Sequence, residues 1–523
     1  MSIARSTTSA SDAARRADPN ATRRGFLNGA AAIVAAPWLA TSPRAADVDR
    51  FPLGVASGQP RADGVVLWTR VIGEALPERV PVRWEVAADE RFERIVARGE
   101  ESAEAAWAHS VHAEPSGLEP GRWYWYRFQA LGTQSAVGRT RTAPAADAAA
   151  TLRFAIASCQ RRDVGHYAGW RHAASAELDL ILFLGDYIYE TTIRKDPVRR
   201  VDGGEAFTLE QYRARYATYK QDPSLQAAHA AAPWLMVWDD HEVSNDYGGL
   251  QGQDLAVDMR ARRTAAYRAY WEHMPFPAAL RPTGADMRIV GRFDWGRLAR
   301  IHLLDDRQYR DPQACPRPGH GGSNTVALAT CAALADPART LLGAEQEAWL
   351  AAGWDLDRPW NLLAQQTLMA RMTWLDPAIG GGIYWTDGWD GYAPARHRLL
   401  STAAARNVPG LVVLGGDVHS NYVADLKPDF DDPASPVVGS EFCGTSISSL
   451  SSVAQARIDF AREFNPHIRY GRSDQRGYMS FELDANELRA SVQVVERPAD
   501  PESSVTTAAR FVVAAARPGP HPA

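Results

Sequence analysis

Several features that would assign the chain to a common enzyme or binding class are missing from its sequence. Only four of its 523 residues are cysteine, and they form no CxxC pair, which argues against a zinc ribbon. GxSxG and GxGxxG motifs are also absent, which counts against a serine hydrolase and a dinucleotide-binding enzyme. The net charge of -5 provides no basic surplus, so we predict no nucleic-acid-binding surface.

The first 46 residues have the pattern of an export signal. The stretch TRRGFL at residues 22–27 precedes an Ala-rich apolar segment at residues 28–40, as in twin-arginine signal peptides. This segment is too short for a comfortable transmembrane span, so no stable membrane span is expected after processing. The sequence therefore predicts export by the twin-arginine machinery to the periplasm or the exterior. The alternative is an ordinary surface helix.

The rest of the chain is too long for one ordinary core and divides by pattern. Residues 47–147 contain short strands punctuated by Gly and Pro, which predicts a small fibronectin-like or immunoglobulin-like β-sandwich. Residues 151–497 alternate strands with helix-like segments, which predicts an α/β catalytic domain. The helix-like segments lie at residues 165–176, 209–219 and 255–274. Residues 498–523 are expected to be a tail with a frayed, Ala/Pro-rich end.

The stretch LILFLGDYIYE at residues 180–190 is the strongest local signal in the catalytic part. Its first five residues are apolar, which indicates a strand buried on both faces, and this strand ends at Gly185 and Asp186. Ligands bind at the carboxyl ends of strands in open α/β sheets, so Asp186 is well placed for a metal or a substrate. For this dipeptide alone, a simple turn is the alternative.

Three further apolar strands end in residues of metal-ligand type. The strand at residues 152–157 leads to Cys159, and the strand at residues 234–238 leads to the DDHE cluster of residues 239–242. The strand at residues 411–414 leads to GGDVHSN at residues 415–421. Four such strand ends together favour a site for one or two hard or borderline cations.

These motifs resemble those of a known family. GDxxY, a later DHE cluster and GGDxH are similar to the calcineurin-like metallophosphoesterase pattern. The exact residues of four motifs resemble those of the alkaline phosphatase D family. These motifs are ASCQ at 157–160, GDYIYE at 185–190, WDDHEVSND at 238–246 and LGGDVHSN at 414–421. The resemblance implies an α/β fold, with a two-sheet α/β/α sandwich behind the small β-sandwich. It also implies hydrolysis of phosphate esters by two-metal activation of water.

The resemblance further implies two sets of metal ligands. The first metal would be held by Cys159, Asp186, Tyr189 and His419, and a thiolate with a phenolate favours Fe³⁺. Asp186 would bridge to a second metal held by Asp240 and Asp417, and this anionic oxygen set favours Ca²⁺. Asn245 is either another oxygen ligand or a neighbour of the ligands. For Cys159, the alternative is a buried small apolar residue, the usual fate of a free cysteine.

His241 and Arg307 are the candidate catalytic residues. His241 matches the catalytic histidine of the family, which donates to the phosphate or leaving-group oxygen as that oxygen gains charge. Arg307 is the candidate phosphate clamp, because a guanidinium fork pairs with phosphate oxygens; a surface ion pair is the alternative. No VxxH histidine of other family branches is found, and Asp305 could stand in for it.

Two loops outside the motifs carry further expectations. Cys315 and Cys331 have a spacing compatible with a disulfide in an oxidising compartment, whereas Cys443 is expected to be buried and inert. Residues 384–392 are rich in Trp and either wall a substrate pocket or pack on the domain surface.

The sequence thus predicts an exported, metal-dependent alkaline phosphatase or phosphodiesterase that cleaves phosphate monoesters, diesters or both. One alternative is a phospholipase or phosphodiesterase that acts on lipid head groups or wall polymers. The other is a non-catalytic protein of the cell envelope, in which a degenerate metal site only orders the fold.

Overall fold

The computed structural model describes residues 48–193 and 195–523. The predicted twin-arginine signal at residues 1–46 lies outside these ranges. Within them, no helix combines the length and the apolar character that crossing a bilayer would require.

Eight strands form the N-terminal part, and they make two packed sheets. One sheet contains β1, β2 and β5, and the other contains β3, β4 and β6 with the short strands β7 and β8. Side chains such as Leu67, Val82 and Phe128 fill the space between them, so the predicted β-sandwich is confirmed. The strands are β1 (Val55–Arg61), β2 (Gly64–Arg70), β3 (Arg79–Ala87), β4 (Ile95–Glu104), β5 (Ser110–Ala113), β6 (Trp123–Ala130), β7 (Thr133–Gln134) and β8 (Gly138–Arg141).

The remaining elements alternate strands and helices. In chain order they are β9 (Leu152–Ala157), α1 (Ala168–Ser175), β10 (Leu180–Leu184), α2 (Leu209–Lys220), α3 (Pro223–Ala231), β11 (Trp234–Val237), α4 (Met259–His273), β12 (Gly291–Trp295), β13 (Ala299–Leu303), β14 (Thr325–Ala327), α5 (Gly343–Gly353), β15 (Trp360–Ala364), β16 (Ile383–Trp385), α6 (Ala393–Ala405), β17 (Leu411–Gly415), β18 (Asn421–Leu426), β19 (Gly439–Cys443), α7 (Gln455–Arg462), β20 (Ile468–Arg472), β21 (Gly477–Leu483), β22 (Glu487–Val495), β23 (Val505–Ala514) and β24 (Arg517–Pro522). Helices α1, α2 and α4 confirm the three helical segments expected from the sequence.

Two large sheets pack face to face between layers of helices. The ten-stranded sheet has the order β24-β23-β22-β21-β9-β10-β11-β1-β2-β5, and the seven-stranded sheet has the order β12-β13-β15-β17-β19-β18-β20. Phe442 of the second sheet meets Phe481 of the first at 5.4 Å between ring centroids. Trp170 of α1 packs against Trp234 on the outer side of the larger sheet, at 4.8 Å. The predicted two-sheet sandwich is therefore confirmed.

The N-terminal sandwich shares a sheet with the catalytic part. β1 runs parallel to β11, with Gly58 opposite Trp234. A Cβ on Gly58 would lie only 2.8 Å from the carbonyl oxygen of Trp234 and 2.9 Å from the Pro275 ring, so this close approach requires glycine. The small sandwich is thus hydrogen-bonded to a strand that leads into the site.

The C-terminal end is ordered into strands, so the expectation that the tail at residues 498–523 frays in its Ala/Pro-rich end, residues 508–523, is wrong. β23 pairs with β22 along its whole length, and its Phe511 side chain is 4% exposed. β24 follows as the edge strand, where proline is tolerated because one side of the strand needs no ladder donors. Gly519 N donates to Ser440 Oγ of the other sheet at 3.0 Å, so this segment helps to close the sandwich.

Cys315 and Cys331 form a disulfide, as the sequence analysis expected. The bond closes a loop that carries Ser323 and Thr325, and both of these residues line the cavity described below. Cys443 is free and fully buried.

Replacing both Cys315 and Cys331 by Ser should lower the free energy of unfolding by about 3 kcal/mol, because the unfolded chain regains the entropy of an open loop. Denaturant titration should detect the loss, and reducing agent should reproduce it in the wild-type protein while leaving the double variant unchanged. Equal stability of oxidised and reduced wild-type protein would contradict a stabilising role.

Candidate active site

The site lies where the carboxyl ends of parallel strands from both sheets meet. β9, β10 and β11 run parallel in the larger sheet, and β15, β17 and β19 run parallel in the smaller one. Cys159 follows β9, Asp186 follows β10, Asp240 follows β11 and Asp417 follows β17. The structure brings these four strand ends together, as the sequence predicts.

The backbone at this edge adopts a left-handed conformation at several of the predicted ligands. The φ angles are 57° at Cys159, 59° at Asp186, 61° at Asp417 and 50° at His419. Such values are uncommon for residues other than glycine, and they cluster at functional sites. Gly185 has a φ of 101°, and a Cβ there would collide with Asp239. Only glycine lets the ends of β10 and β11 approach this closely.

One group of potential metal ligands consists of Cys159, Asp186 and His419, whose ligand atoms lie within 4.8 Å of one another. The Tyr189 hydroxyl donates to Asp186 Oδ2 over 2.7 Å and lies 3.1 Å from His419 Nε2. His419 Nδ1 is 2.8 Å from the carbonyl oxygen of Leu450, which fixes the ring and leaves Nε2 for the group. The four residues assigned to a first metal are therefore neighbours.

A second group consists of Asp239, Asp240 and Asp417, again with ligand atoms within 4.8 Å of one another. Asp186 also forms a group of this size with Asp240 and His241. It therefore belongs to both halves of the site, as a bridging carboxylate must. Asn245 lines the same cavity as Asp186 and Asp240.

The carboxylates lack the partners that their burial requires. Within the described ranges, four of their oxygens are buried and form no hydrogen bond: Asp186 Oδ1, Asp239 Oδ2, Asp240 Oδ1 and Asp417 Oδ2. A buried charge without a partner is strongly unfavourable. Hard oxygens on one side, with sulfur, phenol and imidazole on the other, are suitable ligands for cations. The residues present thus fit the metals that the family resemblance implies.

The pKa values of these groups also show that their ionised forms require nearby positive charge. Burial raises the pKa of Asp186 and Cys159 well above their usual ranges and raises the pKa of Asp417 to about 7. Burial lowers the pKa of His419 to about 4, which keeps the imidazole in its neutral, metal-binding form. A bound cation would favour the ionised carboxylates and thiolate.

His241 lies at the cavity wall and contacts a buried glutamate. Its Nδ1 is 2.6 Å from Glu190 Oε2, and Glu190 Oε1 accepts the backbone N–H of Asn245 at 2.9 Å. Burial alone would lower the pKa of His241, but the carboxylates of Glu190, Asp240 and Asp186 outweigh it and raise this pKa well above its usual value. Glu190 thus favours the protonated ring and fixes its orientation through Nδ1, which leaves Nε2 as the ring nitrogen that can meet a ligand in the cavity.

Arg307 does not lie at the cavity wall, which corrects its assignment as a direct phosphate clamp. Its side chain is 1% exposed; Nε donates to Asp239 and Nη1 donates to Asp387 at 2.7 Å. Nη2 lies 3.8 Å from a carboxylate oxygen of both Asp240 and Asp417. Arg307 therefore pairs with acidic residues, as the alternative proposed, but it does so in the interior.

Asp305 is also a structural residue, and the idea that it replaces a VxxH histidine is not supported. Its carboxylate accepts from Trp238 Nε1 at 3.1 Å, from the backbone N–H of Arg307 at 3.0 Å and from Gln308 Nε2 at 3.0 Å. With both oxygens occupied in this way, Asp305 holds the turn after β13.

Two important glutamates received no role from the sequence. The carboxylate of Glu242 accepts the backbone N–H groups of Asp186 at 3.0 Å, of Asp239 at 2.7 Å and of Tyr187. It therefore ties the ends of β10 and β11 together, while Glu190 orients His241. Glu242 lies in the DHE cluster and Glu190 lies in GDYIYE, so their positions within these motifs could have indicated a role from the sequence.

The site opens into a cavity of about 430 Å³. Its inner wall carries the acidic residues, and its outer wall is largely aromatic and apolar, with Trp374, Trp385, Trp389 and Met372. Two of these residues come from the Trp-rich run at 384–392, so the substrate-pocket alternative for that run agrees with the structure.

Comparison with known proteins agrees with the geometry of the site. Residues 154–492 match the family described as PhoD-like phosphatase, and residues 38–144 match the description "PhoD-like phosphatase, N-terminal domain". The chain belongs to the PhoD-like phosphatase family. Alkaline phosphatase D of Bacillus subtilis (strain 168) is 41% identical over 502 residues, which cover 92% of this chain and 83% of that protein.

Solved structures lead to the same family. The structure of PhoD superimposes with a TM-score of 0.85 at 40% identity, and the match covers 90% of this chain and 92% of that chain. Purple acid phosphatase PPD1 from yellow lupin (Lupinus luteus) seeds gives a TM-score of 0.54 at 11% identity, covering 88% of this chain and 74% of that one, which shows a shared fold alone. The predictions of an alkaline phosphatase D relative and of a metal-dependent phosphoesterase are confirmed.

Replacing Glu190 by Gln should lower kcat roughly 10- to 100-fold, part of the contribution of a general acid. Losing this carboxylate should also lower the pKa of His241, so the alkaline limb of the pH-rate profile should move to lower pH. Exposed Glu177, replaced by Gln, is the matched control. An unchanged kcat and pH profile, in a variant with normal metal content, would refute the positioning role of Glu190.

Proposed function

We propose that this PhoD-like phosphatase is exported and hydrolyses phosphate monoesters, diesters or both with two metal centres. The observation that supports this most is the set of unpartnered, buried carboxylate oxygens beside His241 in one cavity. Such an arrangement suits cations that bind a phosphoryl group next to a proton donor.

The proposed centres are Fe³⁺ and Ca²⁺. Fe³⁺ would be held by Cys159, Asp186, Tyr189 and His419, since a thiolate and a phenolate suit a strongly Lewis-acidic ion. Ca²⁺ would be held by Asp186, Asp240 and Asp417, with Asn245 as a further oxygen donor. When bound, these ions would polarise the phosphoryl oxygens and lower the pKa of the attacking water.

Side chains of the protein would donate the proton, moderate the negative charge of the site and exclude water. His241, held by Glu190, donates from Nε2 to the oxygen that gains charge as the ester bond breaks. Arg307 contributes positive charge behind Asp240 and Asp417 and limits the repulsion between them. Val418 and Leu368 line the same cavity and reduce the access of bulk water to the reacting group.

Export by the twin-arginine route to the periplasm or the exterior is also a proposal. Two observations support it: the TRRGFL motif at residues 22–27 and the disulfide between Cys315 and Cys331. Disulfides persist in oxidising compartments, whereas the cytosol keeps thiols reduced. A twin-arginine route carries folded proteins, which suits a site that must be loaded with metal.

Chelation should abolish the hydrolysis of p-nitrophenyl phosphate and of bis(p-nitrophenyl) phosphate, and Ca²⁺ should restore both if the first metal is retained. Metal content by mass spectrometry should be measured on the same samples. The stripped protein should also unfold at a lower temperature, because its buried carboxylates lose their counterions. Full activity from a protein shown to contain no metal would overturn the two-metal proposal.

Replacing His241 by Ala should lower kcat by about 100- to 10,000-fold while both metals are retained. The matched control is His521→Ala, which changes an exposed histidine near the end of the chain. Unchanged turnover would remove His241 from the mechanism. Loss of metal together with activity would make His241 a ligand instead of a proton donor.

A further inference from the structure

The outer wall of the cavity is larger and more aromatic than the binding of a phosphate group alone requires. Beyond the acidic residues it is lined by the half-buried indole rings of Trp374 and Trp385, with the buried side chains of Trp389, Met372 and Tyr422 next to them. The volume of about 430 Å³ falls in the range of pockets that enclose an organic ligand. This wall therefore faces the organic part of the ester.

Arg457 gives this wall a charge opposite to that of the inner wall. It is the one Arg or Lys among the described residues that line the cavity. The other charged residues there include Asp186, Asp240 and Asp417 at the site, while Asp390 already pairs with Arg396 at 2.6 Å.

The exposed guanidinium of Arg457 contacts an indole ring and has no acidic partner in the part of the chain that the structure describes. It lies over the ring of Trp374, with its central carbon 4.9 Å from the ring centroid. Asp459 on the same helix accepts from Gln455 Nε2 at 2.8 Å instead of pairing with Arg457. A guanidinium stacked on an indole keeps its N–H edge free for a planar oxyanion.

We propose that Arg457 and Trp374 form a second anion subsite, which selects phosphoesters whose organic group carries an apolar ring and a further oxyanion, a carboxylate or a second phosphate. This inference rests on the proposed hydrolysis at the metal centres. The scissile phosphate binds at the inner wall, the ring packs against the indoles, and the second anion accepts from the Arg457 fork. Arg457 is thus a specificity residue and takes no part in breaking the bond.

The test uses a matched pair of diesters with one leaving group: p-nitrophenyl 4-(carboxymethyl)phenyl phosphate and its uncharged methyl ester. A third diester, with a phosphonate in place of the carboxylate, distinguishes the two kinds of anion. The wild-type enzyme should favour the charged diesters about tenfold in kcat/KM, mainly through KM, because the contact is equal in the ground and transition states. Added salt should weaken the preference, because the site is open to solvent.

Arg457→Gln should abolish the preference by lowering kcat/KM for the charged diesters to that for the methyl ester, and Arg457→Glu should reverse the preference. Arg457→Lys keeps the charge but loses the fork and should retain only part of the preference. The control is Arg462→Gln on the same helix, since Arg462 donates to backbone carbonyls of β20 and does not line the cavity.

Three outcomes would overturn the subsite. The wild-type enzyme could fail to distinguish the charged diesters from the methyl ester, or the Arg457→Gln variant could lose activity equally on all three diesters. The third outcome is hydrolysis of p-nitrophenyl phosphate without hydrolysis of any of the three diesters. Failure of the metal-loaded wild-type enzyme on every ester, p-nitrophenyl phosphate included, would count against the proposed hydrolysis itself.

Discussion

The structure depends on the burial of four aspartates at one edge of a two-sheet sandwich. Asp186, Asp239, Asp240 and Asp417 repel one another. Arg307 and the protonated form of His241 are the positive groups that favour their ionised forms. These two groups cannot balance four carboxylates, and four of the carboxylate oxygens have no hydrogen-bond partner in the described ranges. The buried carboxylates therefore favour the binding of cations, in agreement with a metal-dependent phosphatase family.

Hydrogen bonds to the backbone and the close approach of two strand ends hold the acidic residues together. Glu242 accepts three backbone N–H groups from the ends of β10 and β11, and Gly185 lets these ends come close. Asp417 keeps its left-handed conformation between the buried strands β17 and β18, and Cys159 is fixed by the bond from its backbone N–H to the carbonyl oxygen of Gly185 at 3.1 Å. β1 of the small sandwich extends this sheet next to β11, so the N-terminal part supports the strand that carries Asp239 and Asp240.

The sequence revealed those parts of the site that follow directly from strands. An apolar run such as residues 180–184 predicts a buried strand, and its last residues must lie at the sheet edge, so Asp186 could be placed correctly. Arg307 could not be placed from the sequence, because the direction of its side chain depends on ion pairs with Asp239 and Asp387, which are 68 and 80 residues away in the chain. The strands at the C-terminus were missed for a similar reason. Their Ala and Pro residues suggest a frayed tail, and only pairing with β22 along its length makes β23 a strand.

The two walls of the cavity differ in the same way: the inner wall follows from single strands and their ends, whereas the outer wall depends on contacts between segments far apart in the chain. The inner wall comes from strand ends, where the buried strands place the acidic side chains next to one another. The outer wall comes from Trp374, the strand and turn around Trp385 and Trp389, and Arg457 on α7, which are separate segments joined only by the fold. One residue of these segments is coupled to the inner wall, because Asp387, between Trp385 and Trp389, accepts from Arg307 Nη1 at 2.7 Å and Arg307 in turn pairs with Asp239. The sheets thus place the acidic side chains, whereas segments far apart in the chain form the aromatic wall that covers them.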